Sequence, residues 1–301
     1  MLAFKSIVVG VDFTPCSAVA LRQGLRMAKW SGADVHPVHV LDTLVVTQLE
    51  EAVSPFQKGL REQLSQEVRA RYTEFAKHIE GASELSVSVA IDSLLVGLLR
   101  LIAGHKADLV VIGAWGTRTP DVGMGTVATA CVRKAESPVL VVRDTQHGPF
   151  RTVVACVDFS DASKVALQHA AAIAHRDGAR LHVLHLFSAP WQTLHYRAPT
   201  PEANPRFREQ YKGTFEAHLK SFADEATAAH PGLSVTHALV EDPSHRIGIL
   251  DYVQQVGGDL ICLGTRGKTN LRDVLLGSTA EKILSKTPCS VLAVKPPATS
   301  A

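Results

Sequence analysis

At 301 residues and 32.4 kDa the chain is long enough for two domains of ordinary size, each with its own core. Hydrophobic content of 46% beside 20% charged residues describes a globular protein, and a formal net charge of +2 argues against a dedicated nucleic-acid binder. No apolar run approaches the roughly 18 residues of a membrane span, and the opening MLAFKSIVVGVDF reads as a first strand without the cleavage site of a secretory signal. The expected location is therefore the cytoplasm. Five cysteines, Cys16, Cys131, Cys156, Cys262 and Cys289, form no C-x-x-C pair, so neither a disulfide framework nor a zinc ribbon is indicated and buried or half-buried thiols are expected.

The first forty residues return 146 residues later. FKSIVVGVDFTPCSAVAL from Phe4 lies over FRTVVACVDFSDASKVAL from Phe150, Gly32-Ala33 over Gly178-Ala179, and Val38-His39-Val40 over Leu184-His185-Leu186. A whole domain is duplicated, over a period far longer than a solenoid repeat. Each copy opens with a buried strand, residues 7–12 or 153–158, ending in Asp-Phe-Thr/Ser. Thr14 and Ser17, or Ser160 and Ser163, are natural N-caps for Ala-rich helices over 18–30 and 164–175. A glycine suited to a helix C-terminus follows, then a second strand over 35–41 or 181–187.

The first copy continues with helical spacing and mixed charge over 50–78, read as one solvated helix. The second has a Pro-rich stretch over 188–205, with Trp191 and Tyr196, before a helix over 207–229; that stretch reads equally as a lid or a plain connection. Next come a third strand (85–91 or 233–240), a helix (94–104 or 245–256), a fourth strand (109–113 or 260–264), a glycine loop, a helix (127–135 or 280–286) and a last strand (139–143 or 291–295). Alternating strands and helices mean right-handed βαβ crossovers and an α/β, doubly wound, Rossmann-like parallel sheet of five strands in each copy. Residues 144–149 read as a short linker and 298–301 as a loose tail.

The second glycine loop is the strongest site signal. Gly264 ends an apolar strand, Gly267 follows, and after nine further residues Gly277, Ser278 and Thr279 open a helix, with Arg266, Lys268 and Arg272 between. Glycines permit close backbone approach and a helix start offers unpaired N–H groups, so the pattern points to phosphate. It is neither a Walker A loop nor a G-x-G-x-x-G dinucleotide turn.

The G-x2-G-x9-G-S pattern, the V-D-F-S strand end at Asp158, the L-H-L strand at His185 and the closing SVLAV resemble the universal stress protein family, over nearly the whole chain as a tandem pair. The resemblance implies strand order 3-2-1-4-5 and ATP, with or without Mg²⁺, at the carboxyl ends of the first and fourth strands. Physics puts a ligand there too, since strand order reverses at that point. Carried over by position, it implies Asp158 and Leu186 near the adenine, Leu263, Gly264 and Gly267 near the ribose and phosphates, and Gly277, Ser278 and Thr279 at the phosphates. Arg266 and Lys268 are added from their charge. The corresponding first-copy positions are Asp12, Val40, Gly113, Gly116, Gly125 and Thr126. There the loop is one residue shorter, carries Pro120 and Asp121, and has a single cation, Arg118, so it suits phosphate less well. Domains over 1–144 and 150–297 are expected, paired about a pseudo-twofold through their last strands, with a homodimer as a further step.

Other chemistry finds less support. Asp12 and Asp158 lack the second carboxylate of a phosphoacceptor, and Ser278 has no triad and no G-x-S-x-G elbow. His36 and His39, like His182 and His185, stand three apart on a strand and point to opposite faces, which does not suit one metal ion. Two function classes remain. One is a stress-response regulator that binds ATP or a related adenine nucleotide mainly in the second domain, with little or no hydrolysis. The other is a nucleotide-independent scaffold for another small or lipid-like ligand or a protein partner.

Overall fold

The structure, a computed structural model, describes residues 4–53, 59–116, 123–188, 205–242, 244–265 and 276–295. The chain divides into two compact units between Gly148 and Pro149. In the first, β1 (Ser6–Gly10), α1 (Pro15–Ser31), β2 (Asp34–Asp42), α2 (Thr43–Val53) and α3 (Leu60–Ala76) lead to β3 (Ser88–Asp92). The unit continues with α4 (Leu94–Gly104), β4 (Leu109–Gly113), α5 (Thr126–Lys134) and β5 (Val139–Val142). Its strands are parallel and run β3-β2-β1-β4-β5.

The second unit repeats this with β6 (Thr152–Cys156), α6 (Asp161–Asp177), β7 (Arg180–Phe187), α7 (Pro205–Thr227) and β8 (Val235–Glu241). It ends with α8 (His245–Val256), β9 (Leu260–Gly264), α9 (Ser278–Lys286) and β10 (Ser290–Val294), in the parallel order β8-β7-β6-β9-β10. The central strands are apolar throughout because helices cover both faces. Val153, Val154 and Ala155 of β6 and Leu260, Ile261 and Cys262 of β9 are fully buried, whereas edge strand β8 exposes Thr236 and His237.

Both halves are pinned at the amino end of the sheet by one carboxylate. Asp108 accepts the N–H groups of Lys5 and Ser6, and Asp259 those of Arg151 and Thr152, which ties the first strand to the fourth. Helix ends follow the local chemistry. Thr14 and Ser160 are the N-caps, and Gly32 and Gly178 close α1 and α6 at φ 70° and 65°. Ser17 and Ser163 lie inside the first turn rather than at the cap; Ser163 completes a capping box by accepting the Ser160 N–H.

The single helix expected over 50–78 is two helices. α2 begins directly after β2, and α3 starts after Gly59, at φ 78°, a left-handed position that breaks a continuous helix. The solvated mixed-charge face is present: Arg61 pairs with Glu50 at 2.9 Å and Lys77 with Glu74 at 2.6 Å. The third strands start later than expected, since residues 79–85 make successive three-residue turns and Leu233 bonds back to His230. The connecting residues are held to α1 by Gln23, whose Nε2 donates to the carbonyls of Gln146 and Gly148. The Pro-rich stretch apart from its ends, and the expected tail, lie outside the described residues.

Candidate functional site

In the second half, strand order reverses between β6 and β9. Cys156 pairs with Leu263, so Asp158 and Thr265 stand two residues further on, at the carboxyl ends of neighbouring strands. Between β6 and α6 the chain makes a tight turn: Asp158 Oδ1 accepts the Ser160 N–H at 3.1 Å and the Ser160 hydroxyl. Asp12 does the same with Thr14 in the first half. Both aspartates thus present a carboxylate fixed by its own turn.

Gly264 is required by packing. A Cβ there would lie 3.0 Å from Ala162 Cβ and 3.1 Å from backbone atoms of Ala162 and Ser163, so glycine lets β9 meet the first turn of α6. Gly113 meets Cys16 and Ser17 in the same way. Gly277 is different. It sits at φ −55° and ψ 140°, open to any residue, and among the described residues a Cβ would touch only the Thr265 carbonyl oxygen at 3.5 Å, an ordinary contact. Among the described residues, packing does not ask for glycine here.

Gly277 is the N-cap of α9 and provides no side-chain cap, so the first-turn N–H groups have no such partner. Its own N–H donates to Thr265 O at 3.0 Å, which joins the start of α9 to the carboxyl end of β9. Thr265 is 4% exposed, and its hydroxyl has no hydrogen-bond partner among the described residues. An orphaned buried hydroxyl costs about 1–3 kcal/mol. Beside an uncapped helix start, these are donors of the kind that a polyanionic ligand satisfies. Ser278 is exposed and Thr279 half-exposed at the same helix start. Arg266, Gly267, Lys268 and Arg272 lie outside the described residues.

The first half keeps the frame and changes the lining. Gly125 N donates to Ala114 O at 2.7 Å, but Ala114 has no hydroxyl to set against that of Thr265. Buried Trp115 stands in the place of Arg266, with the Arg143 guanidinium 4.0 Å over its ring. Gly116 brings the loop to Asp12, where a Cβ would be 3.0 Å from Oδ2. Thr126 is exposed at the start of α5.

Leu186 and Val40 are committed to helix packing: a Cβ on Gly248 would lie 2.5 Å from Leu186 Cδ2, and one on Gly97 2.7 Å from Val40 Cγ1. Leu263 is 3% exposed inside β9. The histidines are engaged individually. His39 and His185 bond the carbonyls of Val11 and Val157, His182 meets the Tyr252 hydroxyl at 2.9 Å, and His36 stacks on His105. Burial holds His39 below its usual pKa, in keeping with a neutral ring that donates from Nδ1. Among the described residues no group of three or more His, Cys, Asp or Glu side chains is arranged to hold a metal ion. Sequence reasoning passed over Thr265; its signal was a hydroxyl residue directly after the last glycine of an apolar strand.

The sequence model of the Universal stress protein family matches residues 3–143 and again 149–295. The chain belongs to the universal stress protein family. A universal stress protein of Mycobacterium tuberculosis is 27% identical over 301 residues, covering 95% of each chain. One from Mycolicibacterium smegmatis is 28% identical over 300 residues, covering 96% of this chain and 97% of its own. The crystal structure of a universal stress protein from Archaeoglobus fulgidus shares the fold, with a TM-score of 0.62 at 17% identity over 97% of this chain and 98% of that one. This universal stress protein is thus a tandem of two domains of the family fold. No helix among its described residues is long and apolar enough to cross a membrane.

Proposed function

We propose that this protein is a stress-response regulator that binds ATP or a related adenine nucleotide, chiefly in its second domain, and hydrolyses it slowly or not at all. The observation that carries this reading is the Thr265 hydroxyl, without a partner among the described residues, next to the uncapped start of α9 at Gly277, a glycine that the described residues around it do not require. Arg266, Lys268 and Arg272 add cations in the intervening sequence. Mg²⁺ would enter with the phosphates, and the Asp158 carboxylate and the hydroxyls of Ser278 and Thr279 are oxygens that the described residues offer it. Slow turnover is supported by Asp158, whose carboxylate already accepts two hydrogen bonds from Ser160.

A second reading draws on the first domain, where Leu44, Val45 and Leu49 of α2 and Leu94 and Val96 of α4 are exposed apolar side chains of the kind a lipid-like ligand or a protein partner would cover. Mass spectrometry of the ligand released from gently purified protein separates the two. An adenine nucleotide supports the first reading; a lipid, or no small molecule even after soaking with ATP, supports the second. Turnover of about 1–100 per second, abolished by Ser278→Ala, would contradict the regulatory reading.

A further inference from the structure

Phe159 occupies the left-handed region at φ 61°, and Phe13 does so in the first half at φ 64°. Left-handed backbone is costly for a bulky side chain and persists only where surroundings enforce it. Each of these residues directly follows the aspartate at the reversal point of its sheet.

In the second half, His185 packs against this turn on both sides of Asp158. Its Nδ1 lies 2.8 Å from the carbonyl oxygen of Val157, and since a carbonyl only accepts, Nδ1 carries the proton. The same imidazole packs against the Phe159 ring, with centroids 4.3 Å apart. One side chain on β7 therefore grips the residue before Asp158 and the residue after it. The other face of the grip comes from α7: His218 stacks parallel on Phe159 at 4.1 Å and Phe222 meets it edge-on at 5.5 Å.

The first half builds the same clamp. His39 Nδ1 is 2.7 Å from Val11 O, the Phe13 ring lies 5.0 Å from His39, and Phe75 meets it edge-on at 5.6 Å. The place of His218, four residues before the edge-on phenylalanine, is taken by Arg71, its guanidinium 4.7 Å over the ring. The two copies differ in their loop linings and share this device.

We infer that His185, acting through Val157 and Phe159, is a positioning residue that fixes the carboxylate of Asp158 at the mouth of the second cleft. The affinity consequence rests on the nucleotide reading above; the positioning itself does not. Without the clamp, the turn relaxes from its left-handed state and the Asp158–Ser160 bonds loosen. Asparagine at 185 keeps an N–H donor near the position of Nδ1 and leucine keeps only apolar bulk, so the two variants separate the hydrogen bond from the packing.

The test uses the full chain with His185→Leu and His185→Asn, read by the Ser160 amide resonance, ATP calorimetry and thermal unfolding. His185→Leu is expected to move the Ser160 amide toward its unfolded position and to weaken ATP by roughly five- to tenfold, the loss of about one hydrogen bond. His185→Asn is expected to restore both. A Ser160 amide unchanged in His185→Leu, or equal losses in both variants that track thermal stability alone, would overturn the positioning role. A parent protein that binds no adenine nucleotide would overturn the nucleotide reading instead, and the Ser160 amide would still decide the clamp.

Discussion

Replacing Gly277 by valine separates a ligand-dictated glycine from a fold-dictated one. The backbone at φ −55° and ψ 140° accepts any residue, and among the described residues the nearest atom to an added Cβ is Thr265 O at 3.5 Å. Changing an N-cap glycine to valine costs up to about 1 kcal/mol, partly offset by about 0.4–1 kcal/mol from the stiffer unfolded chain. Net destabilisation within about 1 kcal/mol moves the Tm of a domain of this size by no more than about 4 °C. Binding should respond far more strongly. A branched side chain in front of the Ser278 and Thr279 N–H groups removes two hydrogen bonds to a charged acceptor, each worth about 1.5–3 kcal/mol. The sum of about 3–6 kcal/mol weakens ATP at least about 150-fold. Calorimetry with a parallel thermal scan checks both halves of this expectation, and Gly125→Val in the first domain, where nearest contacts are 3.4 and 3.5 Å, should leave ATP affinity unchanged. An ATP affinity within threefold of the parent would show that the start of α9 is not the phosphate site. A Tm loss above about 10 °C, far beyond the shift expected, would show that Gly277 is structural after all.

Gly248→Ala should lower the thermal midpoint of the second domain through about 1–3 kcal/mol of overpacking, because the new methyl meets Leu186 Cδ2 at 2.5 Å and Asp242 Cβ at 3.0 Å; an unchanged or raised midpoint would refute this. His169 is 6% exposed and burial lowers its pKa from 6.5 to about 4, so the folded state holds it neutral. Its contribution is complete above pH 6.5 and is lost as pH falls from there toward about 4, at no more than about 1.4 kcal/mol per pH unit. His169→Gln, which places at 169 the residue found at Gln23 in the first half, should flatten that acid slope in denaturant titrations, and an unaltered slope would contradict the assignment. The buried Cys262 thiol, pushed well up by desolvation, should resist alkylation at pH 8 in the native protein and react once the chain is unfolded, as peptide mass mapping would reveal.

The architecture was legible because two copies of one pattern constrain each other. The Val-Asp-Phe strand end, the glycine after each first helix and the apolar fourth strand recur in register, and the first and fourth strands are short apolar runs closed by a polar or glycine residue. The break between α2 and α3 was not legible: Thr43-Leu-Val-Val-Thr reads as more strand, and the left-handed Gly59 is invisible among charged neighbours. Glycine roles divided in a way that spacing alone does not reveal. Gly264 and Gly248 answer to a facing helix turn or leucine, and Gly277 answers to no close contact among the described residues. The clamp was hidden for a similar reason. The histidine spacing on β2 and β7 argued against a shared metal ion, yet it carried no trace of the carbonyl each ring bonds or of a phenylalanine held at positive φ.

If adenine nucleotide binds in the second domain in preference to the first, calorimetric titration of the nucleotide-stripped full chain with ATP will show one site per chain, abolished by Gly277→Val and untouched by Gly125→Val. Two equivalent sites, or a single site lost with Gly125→Val instead, would overturn the asymmetry between the domains.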